Sequence, residues 1–235
     1  MKSVAIFRHY HSEGPGYFAI ALERLGLPWQ LVRIDSGDPV PSDPRAFSGL
    51  AFLGGPMSVH DRLPWIERIL VLIRAAVSAD VPVIGHCLGG QLMAAALGGV
   101  VKRNPVKEIG WWDVTVAHTP LAQHWFGAEA ASFTSFHWHG ETFAPPPGAQ
   151  SLLSSPYCEN QAFALGKHFG MQCHVEMTAE LIEAWCRSGA NEIAESPGPA
   201  VQTPDAILRD LDRRLARLHA LADRIYARWV EGLVL

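Results

Sequence analysis

Cys87 stands in Gly85-His86-Cys87-Leu88-Gly89, with a glycine two residues away on each side. Val81 to Ile84, just upstream, is a short apolar run rich in β-branched residues and reads as a buried strand. Leu88 to Leu97 is good helix material, stopped by Gly98 and Gly99. The spacing therefore predicts a strand that enters a helix through a sharp bend, with the cysteine pushed out above the sheet edge. At that point the helix N-terminus offers unpaired N–H groups and a positive partial charge, and both favour a thiolate. A thiolate so placed is suited to covalent attack on a carbonyl, which also needs a base, an orienter for the base and donors for the developing oxyanion.

Candidates for each role are present. His174 and Glu176 stand two apart in Gln172-Cys173-His174-Val175-Glu176. In an extended segment such residues face the same way, so Glu176 can hold the His174 imidazole, fix its tautomer and stabilise its charged form. The Leu88 N–H directly follows the nucleophile, and the Gly54-Gly55 pair at the end of another expected strand is a second donor source, since glycine lets backbone approach a substrate closely. Gln91 lies one helical turn beyond Cys87 on the same face and can offer its amide to a substrate. Phe136-His137-Trp138-His139-Gly140-Glu141 gathers aromatic, imidazole and carboxylate groups that could wall a pocket. His137 and His139 could also bind a metal, but no cysteine or carboxylate stands at convincing ligand spacing, so neither metal nor cofactor is expected. His9 and His11 read as loop histidines, and Cys158, Cys173 and Cys186 as inert packing residues.

These groups need a frame to hold them. Ser3 to Phe7, Trp29 to Ile34 and Gly49 to Leu53 are short apolar strands, with helices expected from Tyr17 to Leu25 and from Pro64 to Val77. Together with the Cys87 strand and helix this alternation implies a parallel sheet covered on both faces. In the second half, Trp111 to Val116, Ala131 to Phe136, Gln150 to Ser154, Gln161 to Leu165 and His168 to His174 read as strands, with Gly166-Lys167 as a hairpin turn. Thr178 caps a further helix, and residues 191–202 read as a linker or long loop between a main domain (1–190) and a helical appendage (203–235).

The bulk numbers bound the function. With 49% apolar and 18% charged residues the chain is an ordinary globular protein and not a disordered one. A net charge of −4 leaves no basic footprint for nucleic acid. The four cysteines show no C-x-x-C pairing, which argues against a disulfide framework and for a reducing compartment. The N-terminal apolar run is too short for a signal peptide, and Ile69 to Ile73 is too short to span a membrane. The expected location is the cytoplasm, with no membrane or nucleic-acid partner.

Taken together, Gly54-Gly55-Pro56, Gly85-His86-Cys87-Leu88-Gly89-Gly90-Gln91 and Gln172-Cys173-His174-Val175-Glu176 resemble the class I (triad) glutamine amidotransferases. Lys107-Glu108-Ile109-Gly110-Trp111, Phe136 to Glu141 and Glu159-Asn160-Gln161-Ala162-Phe163 look like the subgroup related to the amidotransferase domain of GMP synthetase. The resemblance implies an α/β fold, flavodoxin-like, with a mixed, mainly parallel central sheet flanked by helices. It implies hydrolysis of the amide of glutamine or a γ-glutamyl compound through a γ-glutamyl thioester on Cys87. In that scheme His174 is base and then acid, Glu176 orients it, Gly55 and Leu88 form the oxyanion hole, and Gly54, Gln91, Trp138 and Gly140 contact the substrate. The chain departs from the family's usual pattern at Val175, where proline is usual, and at Cys173, where an aromatic residue is usual. The competing readings are a glutaminase subunit of a synthetase partner chain and a non-catalytic small-molecule-binding or regulatory module.

Overall fold

The computed structural model describes residues 2–234. Nine strands form one sheet: β1 (Val4–Arg8), β2 (Trp29–Arg33), β3 (Gly49–Phe52), β4 (Val83–His86), β5 (Val100–Val116), β6 (Ser132–Ala144), β7 (Gln150–Ser154), β8 (Ala162–Leu165) and β9 (His168–Met171). Their order across the sheet is β2-β1-β3-β4-β9-β8-β7-β5-β6. The block from β2 to β9 is parallel, and β8, β7, β5 and β6 continue it antiparallel, so the sheet is mixed.

Alternation along the central strands supplies both cores. On β1, Val4 and Ile6 face one core and Ala5 and Phe7 the other. The first core is covered by α1 (Gly16–Arg24) and α8 (Leu211–Val230), through Phe18, Leu22, Ile225 and Trp229. The second is covered by α2 (Pro64–Ser78) and α3 (Leu88–Ala96), through Ile66, Ile69, Ile73 and Leu92. Pro64 opens α2 at its first turn, where a missing N–H leaves no bond unmade. Gly166 takes φ +58° in the β8–β9 turn, a conformation glycine adopts without steric penalty.

The observed elements differ most from the expected ones in four places, and β9 also ends at Met171 rather than His174. β5 starts at Val100 rather than Trp111, because Asn104 and Pro105 fall in a register irregularity between Arg103 and Glu108 that a pattern of alternating residues hides. β6 runs past Phe136 to Ala144, so the His137–Glu141 stretch is strand. A short helix α4 (Pro120–Phe126), capped by the Thr119 side chain, was not expected; its buried Trp125 and Phe126 pack on the first core. Within 191–202, read as linker or loop, the helix α6 (Ala190–Glu195) forms and Ile193 is buried. The same stretch then bonds to β5: Ile109 N–H donates to Ala200 O (2.8 Å) and Gln202 N–H to Ile109 O (3.0 Å).

The remaining helices are α5 (Ala179–Ser188), capped by Thr178 as expected, and α7 (Pro204–Leu208). α8 is not peripheral in its packing: Tyr226 and Trp229 are fully buried in the first core. Among the described residues no helix is long and apolar enough to cross a membrane.

Candidate active site

The bend after β4 forms as the glycine spacing predicts. Cys87 sits at φ +50°, ψ −108°, a strained conformation for a residue with a side chain, costing on the order of 1–3 kcal/mol. The surroundings hold it there: Cys87 N–H donates to Met171 O (2.8 Å) and Gln91 N–H to Cys87 O (3.0 Å). Gly85, Gly89 and Gly90 permit the tight pack, since a Cβ on each would collide with the backbone of Gly89, Phe52 and Met171, respectively.

β9 ends beside β4, and the chain beyond it carries His174, the expected base. His174 N–H donates to Phe136 O (2.8 Å), which fixes the segment against β6. The His174 ring stands edge-on to Trp185 of α5 at 5.0 Å. His174 Nδ1 and Glu176 Oε1 are 2.6 Å apart, both fully buried, so Nδ1–H donates to the carboxylate. The other ring nitrogen, Nε2, is buried without a partner. Burial alone would lower the His174 pKa, but the Glu176 carboxylate and the adjacent Cys87 sulfur hold it well above its ordinary value. Burial would likewise raise Glu176, yet His174, with His86 behind it, holds that carboxyl down to about 2.

The other expected residues surround this pair. Cys87 Sγ donates to Trp138 O (3.8 Å) and accepts from Gln172 Nε2 (3.5 Å). The Gln91 amide nitrogen is taken by Gln172 Oε1 (3.1 Å), so Gln91 reaches the sulfur through Gln172. Leu88 opens α3 directly after Cys87, and a Cβ on Gly55 would stand 3.0 Å from the Leu88 side chain. The point where a Cβ on Gly54 would stand is 2.8 Å from Glu13 Oε2 and 3.3 Å from His174 Cε1. Trp138 turns its indole N–H to Glu192 Oε2 (2.9 Å), and Gly140 lies near Lys107. Cys87, His174, Gly55, Gln91, Trp138 and Gly140 line one cleft of about 770 Å³, and Gly54 and Glu176 stand behind its wall.

Four contributors escaped sequence reasoning. Gln172 stands within the quoted Gln172-to-Glu176 motif, but sequence reasoning assigns it no role there. Glu13 comes from the β1–α1 loop, and burial lifts its carboxyl to about 8, with His174 opposing and Glu176 adding to the rise. His86 Nε2 lies 3.9 Å from Glu176 Oε2 and 3.1 Å from the Tyr226 hydroxyl of α8. Glu192, on α6, closes the rim through Trp138 and Lys107 (2.7 Å). Glu13 and Glu192 are far from the motifs in sequence, and His86, although it stands beside Cys87, meets Glu176 and Tyr226 only in the packed chain. His9, expected in a loop, is buried against Trp65 with Nδ1 on Leu53 O (3.1 Å).

Comparison with known proteins agrees with this geometry. Residues 18–184 match the family model described as glutamine amidotransferase class-I. The chain is 31% identical over 196 residues to the glutamine amidotransferase-like protein YfeJ of Salmonella typhimurium, covering 81% of this chain and 82% of that one. It is 33% identical over 132 residues to a glutamine-hydrolysing GMP synthase of Geobacillus kaustophilus, covering 55% of this chain and 24% of that enzyme. A crystal structure of a glutamine amidotransferase from Methylobacillus flagellatus superposes with a TM-score of 0.97 at 47% identity, over 100% of this chain and 96% of that one. With Cys87 strained into a strand–helix bend, a buried imidazole–carboxylate pair and a family match over most of its length, the chain belongs to the class I glutamine amidotransferases.

Proposed function

We propose that the protein hydrolyses the side-chain amide of glutamine or a γ-glutamyl compound through a γ-glutamyl thioester on Cys87. The observation that carries this reading is the buried His174–Glu176 pair, with its unpartnered Nε2, beside a cysteine strained into a strand–helix bend. His174 Nε2 takes the thiol proton as the sulfur attacks the amide carbon. The tetrahedral oxyanion is held by the N–H groups of Leu88 and Gly55. His174 then gives the proton to the departing nitrogen, leaving the thioester and ammonia or an amine. A water, deprotonated by the same imidazole, attacks the thioester, and the glutamyl acid leaves with the thiol restored.

Gly54, Gln91, Trp138 and Gly140 are assigned to holding the glutamyl moiety, and Gln172 to positioning the sulfur. Val175 is fully buried and Cys173 lies in the first core, so the two departures from the usual pattern serve packing and leave the reacting groups in place. A cleft of this size accepts glutamine or a γ-glutamyl dipeptide.

The test is a turnover screen of glutamine against γ-glutamyl dipeptides, read as ammonia, amine and glutamate release. It is paired with labelling by 6-diazo-5-oxonorleucine. Cys87 is expected to label selectively near neutral pH, with protection by substrate, and Cys87→Ser is expected to abolish turnover. Labelling no faster than that of an exposed thiol, or near-normal turnover by Cys87→Ser, refutes the mechanism and favours the binding-module reading.

A further inference from the structure

Outside the hydrolytic site, a buried box of donor groups lies between β5, β6 and the β7–β8 loop. Glu108 on β5 stands opposite His139 on β6, and His137 lies two residues along on the same face of β6. All three are buried, and one donor atom from each lies within 4.8 Å of the others. Sequence spacing exposed the two histidines without a third ligand, because the carboxylate arrives from the neighbouring strand.

Hydrogen-bond accounting leaves this box incomplete. His139 Nδ1 is 3.0 Å from Glu141 O; a carbonyl only accepts, so Nδ1 carries the hydrogen. In the neutral ring Nε2 is then a lone pair, yet it faces Glu108 Oε2 at 2.9 Å, another lone-pair atom. Something positive belongs between them. His137 Nδ1 is 3.9 Å from the same oxygen, and neither of its ring nitrogens has a partner. A neutral imidazole there offers a lone pair on one of its two nitrogens. Gln161 Oε1, from the same box, is also buried without a partner. A single proton between His139 and Glu108 leaves the His137 ring unpartnered. A cation at the common centre engages Glu108 and both imidazoles.

The surroundings suit a cation. Ser155 Oγ donates to Glu108 Oε1 (2.6 Å) and Gln161 Nε2 to Glu108 Oε2 (2.7 Å), so both carboxylate oxygens are fixed in orientation. The His139 Nδ1–H bond to a carbonyl is the outer-shell contact that sets a ligating imidazole's tautomer. Cys158 does not compete: burial lifts its thiol to about 11, and its sulfur is engaged with Thr142 Oγ1 at 3.1 Å.

The geometry points to a divalent transition-metal site of the zinc class, held by Glu108, His137 and His139. Two imidazoles and a carboxylate with no thiolate match that class of ion. The ion would pin β5 to β6 beside the irregular register. It would thereby steady Trp138, whose carbonyl meets Cys87 on the other side of the strand. It takes no part in the chemistry, and the inference does not rest on the hydrolytic reading.

The test uses the full chain without a histidine tag, purified in the absence of chelators. Elemental analysis is expected to find one zinc-class ion per chain that survives gel filtration. Replacement by Co²⁺ is expected to give ligand-field bands in the visible, and stripping the ion to lower the melting temperature. Glu108→Gln and His137→Gln are expected to lose the ion. Because either variant can fail to fold, the wild-type chain decides: a folded wild-type protein that takes up neither Zn²⁺ nor Co²⁺ stoichiometrically overturns the proposal. So does an ion that persists in both variants.

Discussion

Replacing Glu176 with glutamine keeps the shape of the triad and removes its charge. The Nδ1–Oε1 contact is 2.6 Å and both partners are buried. With charge spread over ring and carboxylate, the centres lie roughly 4 Å apart, which at an effective dielectric of about 20 is an attraction of about 4 kcal/mol. The carboxyl gives a second route to the figure: its pKa falls from 4.5 to about 2 in the folded chain, worth about 3 kcal/mol at 1.36 kcal/mol per unit. The two routes agree on a loss of two to three decades in the population of imidazolium beside the sulfur. In Glu176→Gln only the Cys87 sulfur still opposes burial, so the His174 pKa falls from its raised value. The assay is the pH profile of Cys87 alkylation by iodoacetamide, with glutamine turnover measured alongside. Alkylation near neutral pH should slow by about a hundredfold or more, and kcat/KM should fall by a similar factor, roughly two to three decades. A Glu176→Gln protein with the wild-type alkylation profile and turnover refutes the assignment of Glu176 as the charge that sustains the imidazolium.

Three further outcomes follow from the packing. Gly89→Ala drives a Cβ into the Phe52 carbonyl, so it should destabilise by about 3 kcal/mol or more, read as a lower urea midpoint at unchanged slope. Tyr226→Phe removes the hydroxyl at 3.1 Å from His86 Nε2 and leaves a buried imidazole unpaired. A loss of about 1–3 kcal/mol and a melting temperature lower by several degrees are expected, with turnover within about tenfold of wild type, as for a group that acts only through Glu176's surroundings. His9 and His168 are each depressed by burial from 6.5 to about 4, and His168 Nδ1 accepts the Val83 N–H at 3.2 Å. Between those values the unfolded chain binds more protons, so their contribution is complete above pH 6.5 and is lost as the pH falls through about 4. Denaturation midpoints should drop across that window by up to about 3 kcal/mol per histidine, and His168→Gln should flatten part of the slope.

The nucleophile bend was legible in the chain because its cause is local. Glycines on both sides of Cys87 and an apolar run on each flank act within a few residues, and Thr178 and Pro64 mark helix starts by the same short-range chemistry. His174 and Glu176 were legible for a similar reason, since two-residue spacing in an extended segment puts both side chains on one side. What packing alone decided is every pairing between distant elements. The carboxylate opposite His139 depends on the β5–β6 register, which is reset by the irregularity around Pro105. Glu13 enters the cleft because a loop folds over Gly54, and Tyr226 reaches His86 because α8 covers the same core as α1. The 191–202 stretch shows the limit from the other direction: its prolines and glycines read as loop, yet Ile193 is buried and Ala200 bonds to β5. Local sequence sets which conformations a segment can take; the depth of burial and the partner across a strand are set by surfaces tens of residues away, and no spacing rule along the chain records them.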